Sequence, residues 1–560
     1  MDMFCFQCQE TARNQGCTVR GVCGKSPRVA TLQDLLIWTL KGISFWGTNG
    51  RKTLGVVHPE TDLFVAQALF STITNANFDE ARFVELIREA IERRDALKAE
   101  AQTACRAKHG TPCFHALPEA STWTPESYDV EALLAKGANV GIMADPSLDE
   151  DVRSLRELTI YGVKGLAAYT DHAYVLEHQS EDLLAFIQEA LLATLDDQLG
   201  VPDLVALVLR TGEMGLEAMR LLDEANTSTY GHPEPTQVDL GVREGPAILV
   251  SGHDLRDLDE LLQQTAGTGV NVYTHGEMLP ANAYPGLKKY PHLVGNYGGS
   301  WWHQKEEFEA FGGPILMTTN CIVPPADSYV GRLYTTGMAG WPGCTHIADS
   351  KPGQQKDFGE IVAAAKALPG PRELESGTIP IGFARNTIMS VADKVIEAIQ
   401  AGAITRLVVM GGCDGRQRSR SYFTEVAENL PKTHVILTAG CAKFRYNKLP
   451  LGEIGGIPRV LDAGQCNDSY SLIYVAQQLA QVLGVSDVND LPISYDIAWY
   501  EQKAVIVLLA LLAIGVKHVR LGPTLPAFLS SNVTKVLVEN FDIKPTSTVE
   551  ADVEAIAAGR

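Results

Sequence analysis

Residues 247–255 read AILVSGHDL and residues 407–415 read LVVMGGCDG. Each is a run of branched apolar residues that ends in glycine, a metal-ligand type of side chain and aspartate. Apolar runs of this length suit strands buried on both faces, and the helical patterns that follow them make a βα alternation. The same texture recurs at Val270–Thr274, Ile315–Thr319, Val435–Thr438, Arg459–Leu461 and His518–Leu521. It predicts two parallel, doubly wound sheets, divided by the Pro- and Gly-rich stretch Leu368–Pro380.

Before Gly231 the texture differs. From Thr31 to about Asn226 apolar residues recur at helical spacing, as in Leu35, Leu36, Trp38 and Leu40, or Phe83, Leu86, Ile87 and Ile91. Asp79–Ala104, Asp171–Asp197 and Asp203–Asn226 are expected as long helices, and His109–Tyr128, rich in Pro, Thr and Ser, as a joint between two bundles. The run Ala504–Val516 is apolar but too short to cross a bilayer, which takes about 20 residues, so it is expected as a buried helix. The predicted fold class is multidomain, with N-terminal all-α helical bundles followed by two α/β doubly wound (Rossmann-like) parallel-sheet domains. The expected boundaries are 1–230, 231–372 and 373–560.

Composition narrows the function classes. The 560 residues are 45% hydrophobic and 20% charged, enough for large cores, and the formal net charge of −20 argues against nucleic-acid binding and against an anionic membrane surface. With no signal-like segment ahead of Cys5, a cytoplasmic location is expected. The eleven cysteines then read as metal ligands or reactive thiols rather than a disulfide framework. Cys105 and Cys113 are expected to be ordinary thiols.

The first four cysteines, Cys5, Cys8, Cys17 and Cys23, follow the order C-x2-C-x8-C-x5-C. Four close thiolates make a tetrahedral sulfur site, for structural zinc or for an iron–sulfur cluster; one close pair followed by two singly spaced cysteines favours iron. A second set lies at the predicted strand ends, where open α/β sheets bind ligands. There the strands run out into His253, His275-Gly276-Glu277, Cys321, Cys413, Cys441 and Cys466. Singly, each has a plainer reading as a buried thiol or a hydrogen-bonded histidine. Their recurrence at equivalent positions points to a shared metal site, with the adjacent glycines allowing close backbone approach. Glu501 and Lys503, at the mouth of the apolar helix, are either a solvated helix start or a carboxylate ligand and a proton donor.

The stretches FCFQCQETA, GHDL, HGEMLPA, TNCIVPP, GGCDG, AGCAKFRYN, DAGQCNDSYS and WYEQKAV, spread over the whole chain, resemble the hybrid-cluster (prismane) proteins. The resemblance implies hydroxylamine reduction, with a [4Fe-4S] cluster on Cys5, Cys8, Cys17 and Cys23 as electron relay. It also implies a hybrid [4Fe-2O-2S] cluster held by His253, Glu277, Cys321, Cys413, Cys441, Cys466 and Glu501, with a persulfide on Cys413. Glu277, Glu501, Lys503 and His275 are the expected catalytic groups. The expected partners are a small nitrogenous substrate (hydroxylamine or nitric oxide) and a redox electron donor protein, the chain itself being a monomer. Nitric oxide reduction or protein S-nitrosylation, a sensor or carrier without turnover, and a carbon monoxide dehydrogenase remain the other readings. Cys344 matches no ligand motif.

Overall fold

The computed structural model describes residues 3–111, 113, 114, 116–351 and 353–560. The first half is helical up to Tyr230, where Gly231 at φ +83° ends the long helix Val201–Tyr230. Glu80–His109 is capped by Asp79, whose side chain accepts from Ala81 N. Asp171 does not start a helix. It lies inside Glu150–Val175, accepting from Gln67 Nε2 at 2.9 Å, and the break falls at 176–180, where Ser180 caps the next helix, Glu181–Ala193. Within the expected joint, Pro112 and His115 lie outside the described residues; the rest packs onto the helix Pro27–Asn49, where Trp46 Nε1 donates to Ser121 O at 2.9 Å.

Cys105 and Cys113, expected as ordinary thiols, are joined as a disulfide. Gly110, in the left-handed region at φ +75°, ends the helix and turns the chain back, bringing the two Cα atoms to 5.9 Å, within disulfide range.

Two parallel six-stranded sheets follow. In space the first runs Leu293–Asn296, Asn271–His275, Ala247–Ser251, Ile315–Met317, Leu333–Thr336, Thr345–Ile347. The second runs Val460–Asp462, His434–Thr438, Arg406–Gly412, Ile493–Ala498, Val519–Gly522, Lys544–Pro545. Each order reverses once, between Ala247–Ser251 and Ile315–Met317 in the first and between Arg406–Gly412 and Ile493–Ala498 in the second. Such a reversal leaves a crevice at the carboxyl ends of its two strands. His253 and Cys321 flank one crevice, Cys413 and Glu501 the other. The stretch 368–380 is not a free linker, because Thr378–Ile381 returns to pair antiparallel with Thr236–Asp239, ahead of the first sheet.

The apolar helix Gln502–Ala513 is buried against the helical half. Glycines make room for it. A Cβ at Gly165 would collide with the Gln502 carbonyl, and one at Gly212 with the Leu509 carbonyl. This seat fixes the start of the helix and with it Glu501 and Lys503. Gly165→Ala is therefore expected to destabilise the protein by about 1–3 kcal/mol and to displace Lys503. Urea unfolding checks it, and an unchanged midpoint would show that the contact does not constrain the helix. Among the described residues no helix is long and apolar enough to cross a membrane.

Candidate metal centre

The strand ends of both sheets meet at one buried place. Gln465 Nε2, from the second sheet, donates to His253 O at 3.0 Å and Glu277 O at 2.9 Å, both from the first, and Cys466 N donates to Glu277 Oε2 at 2.9 Å. Among the described residues, the metal-type donors that gather within 4.8 Å of one another are those of His253, Glu277 and Cys466. Cys321, Cys413 and Cys441 sit in a neighbouring packed cluster with Trp301, Trp302, Val323, Tyr500 and Cys8.

Two glycines shape this rim by approaching backbone rather than the donor set. Gly412 and Gly440 sit at φ +102° and +89°; a Cβ on the first would strike Ala498 O, and on the second Gly412 O. Cys413 N donates to Ala498 O at 2.9 Å across the crevice.

Hydrogen bonds set the histidine tautomer. Thr319 Oγ1 donates to Asn320 O at 3.1 Å and so accepts from His253 Nδ1 at 2.8 Å, which leaves Nε2 with its lone pair facing inward. Lys503 Nζ lies 2.9 Å from that Nε2, 2.7 Å from Asn320 Oδ1 and 3.9 Å from Glu501 Oε1. Glu501 caps its helix by accepting from Lys503 N through Oε2. Glu277 Oε1 is buried without a hydrogen-bond partner among the described residues.

The electrostatics follow from burial. It drives His253 well below the usual histidine range, with Lys503 adding to the effect. It pushes Cys321, Cys441 and Cys466 well up, and Cys413 to about 12, with Glu501 adding to the rise at Cys321 and Cys413 and Glu277 at Cys441. Lys503 is raised: burial opposes its charge, but Glu501, Cys466, Cys321 and Glu277 outweigh it. Thiols held this high ionise only when cations compensate them. A neutral imidazole, an unpartnered carboxylate oxygen and clustered thiols therefore fit a sulfur-rich group of several irons, and mixed S, N and O donors suit iron that also takes oxygen ligands.

His275 is placed elsewhere. Fully buried, it bonds Ser251 Oγ through Nδ1 at 2.9 Å and Glu307 Oε2 through Nε2 at 2.8 Å. Sequence reasoning missed Asn320, Lys443 and two residues from the helical half, Tyr169 and His172. Lys443 is buried and held by Asp462 and the Gly464 carbonyl. Tyr169 lies buried beside Cys466, and His172 stacks on His253 with ring centroids 6.2 Å apart. Burial, then Lys503, lowers His172 to about 3. Its signal in the sequence was a histidine, next to Asp171, in the mostly apolar stretch Leu166–Val175.

At the N-terminus Cys5 and Cys17 form a two-residue bridge, Cys5 N to Cys17 O at 3.1 Å and Cys17 N to Cys5 O at 2.8 Å. Ala12 N donates to Cys17 Sγ at 3.4 Å and Lys25 Nζ to Cys5 Sγ at 3.8 Å. Burial raises Cys8 and Cys23; neighbouring thiols raise Cys8 further, whereas at Cys23 Lys25 opposes the rise. No three of these sulfurs converge within 4.8 Å. Cys8 belongs to the same packed cluster as Cys441, Tyr500 and Trp301, the last two with ring centroids 4.6 Å apart. Cys344 stands apart, its Sγ 3.8 Å from Val330 O.

Fold and donor sets define a class: a helical and doubly wound α/β protein with two sulfur-rich sites that share a packed cluster of side chains. The chain belongs to the Prismane/CO dehydrogenase family, whose model matches residues 3–554. It is 63% identical over 559 residues to a hydroxylamine reductase of Halothermothrix orenii and 60% identical over 560 residues to one of Nitratidesulfovibrio vulgaris, in each case over 100% of both chains. Its fold is similar to a carbon monoxide dehydrogenase from Thermococcus sp. AM4, with a TM-score of 0.54 at 18% identity, covering 99% of this chain and 90% of that one.

Proposed function

We propose that this protein reduces hydroxylamine to ammonia and water, with a [4Fe-4S] relay on Cys5, Cys8, Cys17 and Cys23. The second group, a hybrid [4Fe-2O-2S] cluster with a persulfide on Cys413, would be held by His253, Glu277, Cys321, Cys413, Cys441, Cys466 and Glu501. The observation that carries this reading is the convergence of both sheet crevices on one mixed-donor site, in a chain 63% identical to a named hydroxylamine reductase. When bound, the two iron–sulfur groups supply electrons and an open coordination position.

The protein's own residues do the rest. Thr319 fixes His253 with Nε2 inward, and Gln465 locks the two rims together. Lys503, with its charge upheld by Glu501, holds a proton at the centre of the site, where the two-electron, two-proton cleavage of the N–O bond consumes protons. Glu307, on the wall of a polar cavity of ≈ 470 Å³ that also reaches Asp414, holds His275 through its Oε2 at 2.8 Å. Trp301 and Tyr500 are buried and pack in one cluster with Cys8 of the first thiol set and Cys441 of the second.

An apolar cavity of ≈ 50 Å³, walled by Leu407, Val409, Leu437 and Leu472, reaches Gly412 and Cys466. It favours a second reading, in which an apolar diatomic such as nitric oxide is the substrate.

Metal analysis and electron paramagnetic resonance on anaerobically prepared protein test the cofactor assignment. Iron without nickel and two distinct cluster signals are expected; nickel would point to carbon monoxide dehydrogenase chemistry. Cys17→Ser should remove about four irons and slow turnover while leaving the second signal in place. Loss of both signals together would give the N-terminal site a structural role instead.

A further inference from the structure

The formal net charge is −20, yet residues 11–25, TARNQGCTVRGVCGK, which wrap the N-terminal thiols, contain Arg13, Arg20 and Lys25 and no carboxylate. Arg13 and Arg20 are exposed. Arg416 reaches over the loop, donating to Val22 O at 3.0 Å, and exposed Arg418 lies beside it. The adjoining carboxylate, Glu10, is buried and paired with Arg416 at 2.7 Å. Two apolar side chains stand out from the same loop, Val19 at 79% and Val22 at 44% exposure. Scattered exposed valines are ordinary. These two sit next to Cys17 and Cys23 in sequence, on a loop whose charged side chains are all basic, in a protein of net charge −20.

We propose that this loop is the docking surface for a small acidic one-electron carrier protein of the ferredoxin type, which delivers electrons to the N-terminal centre. The proposal rests on the reading that Cys5, Cys8, Cys17 and Cys23 hold the relay cluster. An acidic carrier is repelled by the net charge of the protein and attracted to these arginines, so charge favours the orientation that brings donor and acceptor together. Val19 and Val22 give the contact a small water-excluding centre, and a small, weak interface suits a partner that must leave after each transfer. In each encounter the carrier loses one electron and the N-terminal centre gains one; two encounters supply the reduction of one hydroxylamine.

The test uses the anaerobic holoprotein and an acidic ferredoxin as probe. Calorimetry of the oxidised pair at low ionic strength gives the affinity, and stopped-flow mixing with the reduced ferredoxin gives the rate of cluster reduction. The double variant Arg13→Glu/Arg20→Glu is expected to weaken binding and slow reduction by about 10-fold or more, and added salt should erase the difference. Arg13→Gln/Arg20→Gln should show the same change, smaller, in case charge reversal disturbs the loop. The extent of reduction by dithionite should stay the same in every variant. Wild-type affinity and rate in both double variants would overturn the proposal. So would loss of a dimer in Val19→Ser on sedimentation, which would make the loop a contact between copies of this chain, or arginine-dependent binding to phosphatidylglycerol vesicles with none to ferredoxin. Failure of the underlying reading looks different: dithionite would then reduce no N-terminal cluster even in the wild type.

Discussion

Lys503→Met is expected to leave iron content and cluster signals intact while lowering hydroxylamine reduction by about 10²–10⁴-fold, the range of general acid catalysis. The side chain is fully buried, and its Nζ lies 2.9 Å from His253 Nε2 and 2.7 Å from Asn320 Oδ1. Charged groups persist in such places when they are paired or when they handle protons. Burial works against the ammonium, but Glu501 and the surrounding thiols outweigh it, so the proton is held rather than lost. Methionine keeps the length and removes both charge and proton. If Lys503 only supports the site electrostatically, the midpoint potential shifts and the rate changes modestly. Measuring the pH–rate profile and the potential on one sample separates the two, and wild-type rates at every pH would leave Lys503 without a chemical role.

The second large effect is expected at Glu277. Its Oε2 accepts from Cys466 N at 2.9 Å, while its Oε1 is buried without a partner among the described residues. Glutamine keeps the size. Its carbonyl oxygen must stay opposite the Cys466 N–H, so the NH2 group takes the position of Oε1 and turns an anionic donor into a group that repels cations. Glu277→Gln should therefore rearrange the proposed hybrid-cluster site and cut turnover by about 10–100-fold, the loss typical of damage around a metal site. Iron counting and resonance spectra alongside rates provide the check. Near-normal activity with an unchanged spectrum would strike Glu277 from the ligands.

The sheets could be read from sequence where apolar runs were long and ended in glycine. Ala247–Ser251 is a strand over the expected residues, and Arg406–Gly412 extends the expected Leu407–Met410 by a few. The central strand Ile493–Ala498 escaped because Ser494 and Asp496, both buried, interrupt its apolar run. Leu293–Asn296, Leu333–Thr336, Thr345–Ile347 and Lys544–Pro545 escaped because short strands near a sheet edge are set by their neighbours rather than by their own pattern. Thr378–Ile381 escaped for the same reason, its partner Thr236–Asp239 lying far back along the chain. Asp171 misled because aspartate marks helix starts, while here it is buried inside a helix and bound to Gln67.

At the candidate site, residues that follow strands were legible because the carboxyl edge of an open sheet is where ligands bind. Tyr169 and His172 were not. They reach the site through tertiary packing, because glycines on their own helix and on Val201–Tyr230 let the helix Gln502–Ala513 draw close.

The central claim is tested most directly by anaerobic turnover with hydroxylamine and a reduced viologen, counting electrons consumed and ammonia formed. One ammonia for every two electrons, at a rate well above that with nitric oxide on the same preparation, is the result predicted here. Electron consumption without ammonia, or turnover with nitric oxide alone, would contradict it.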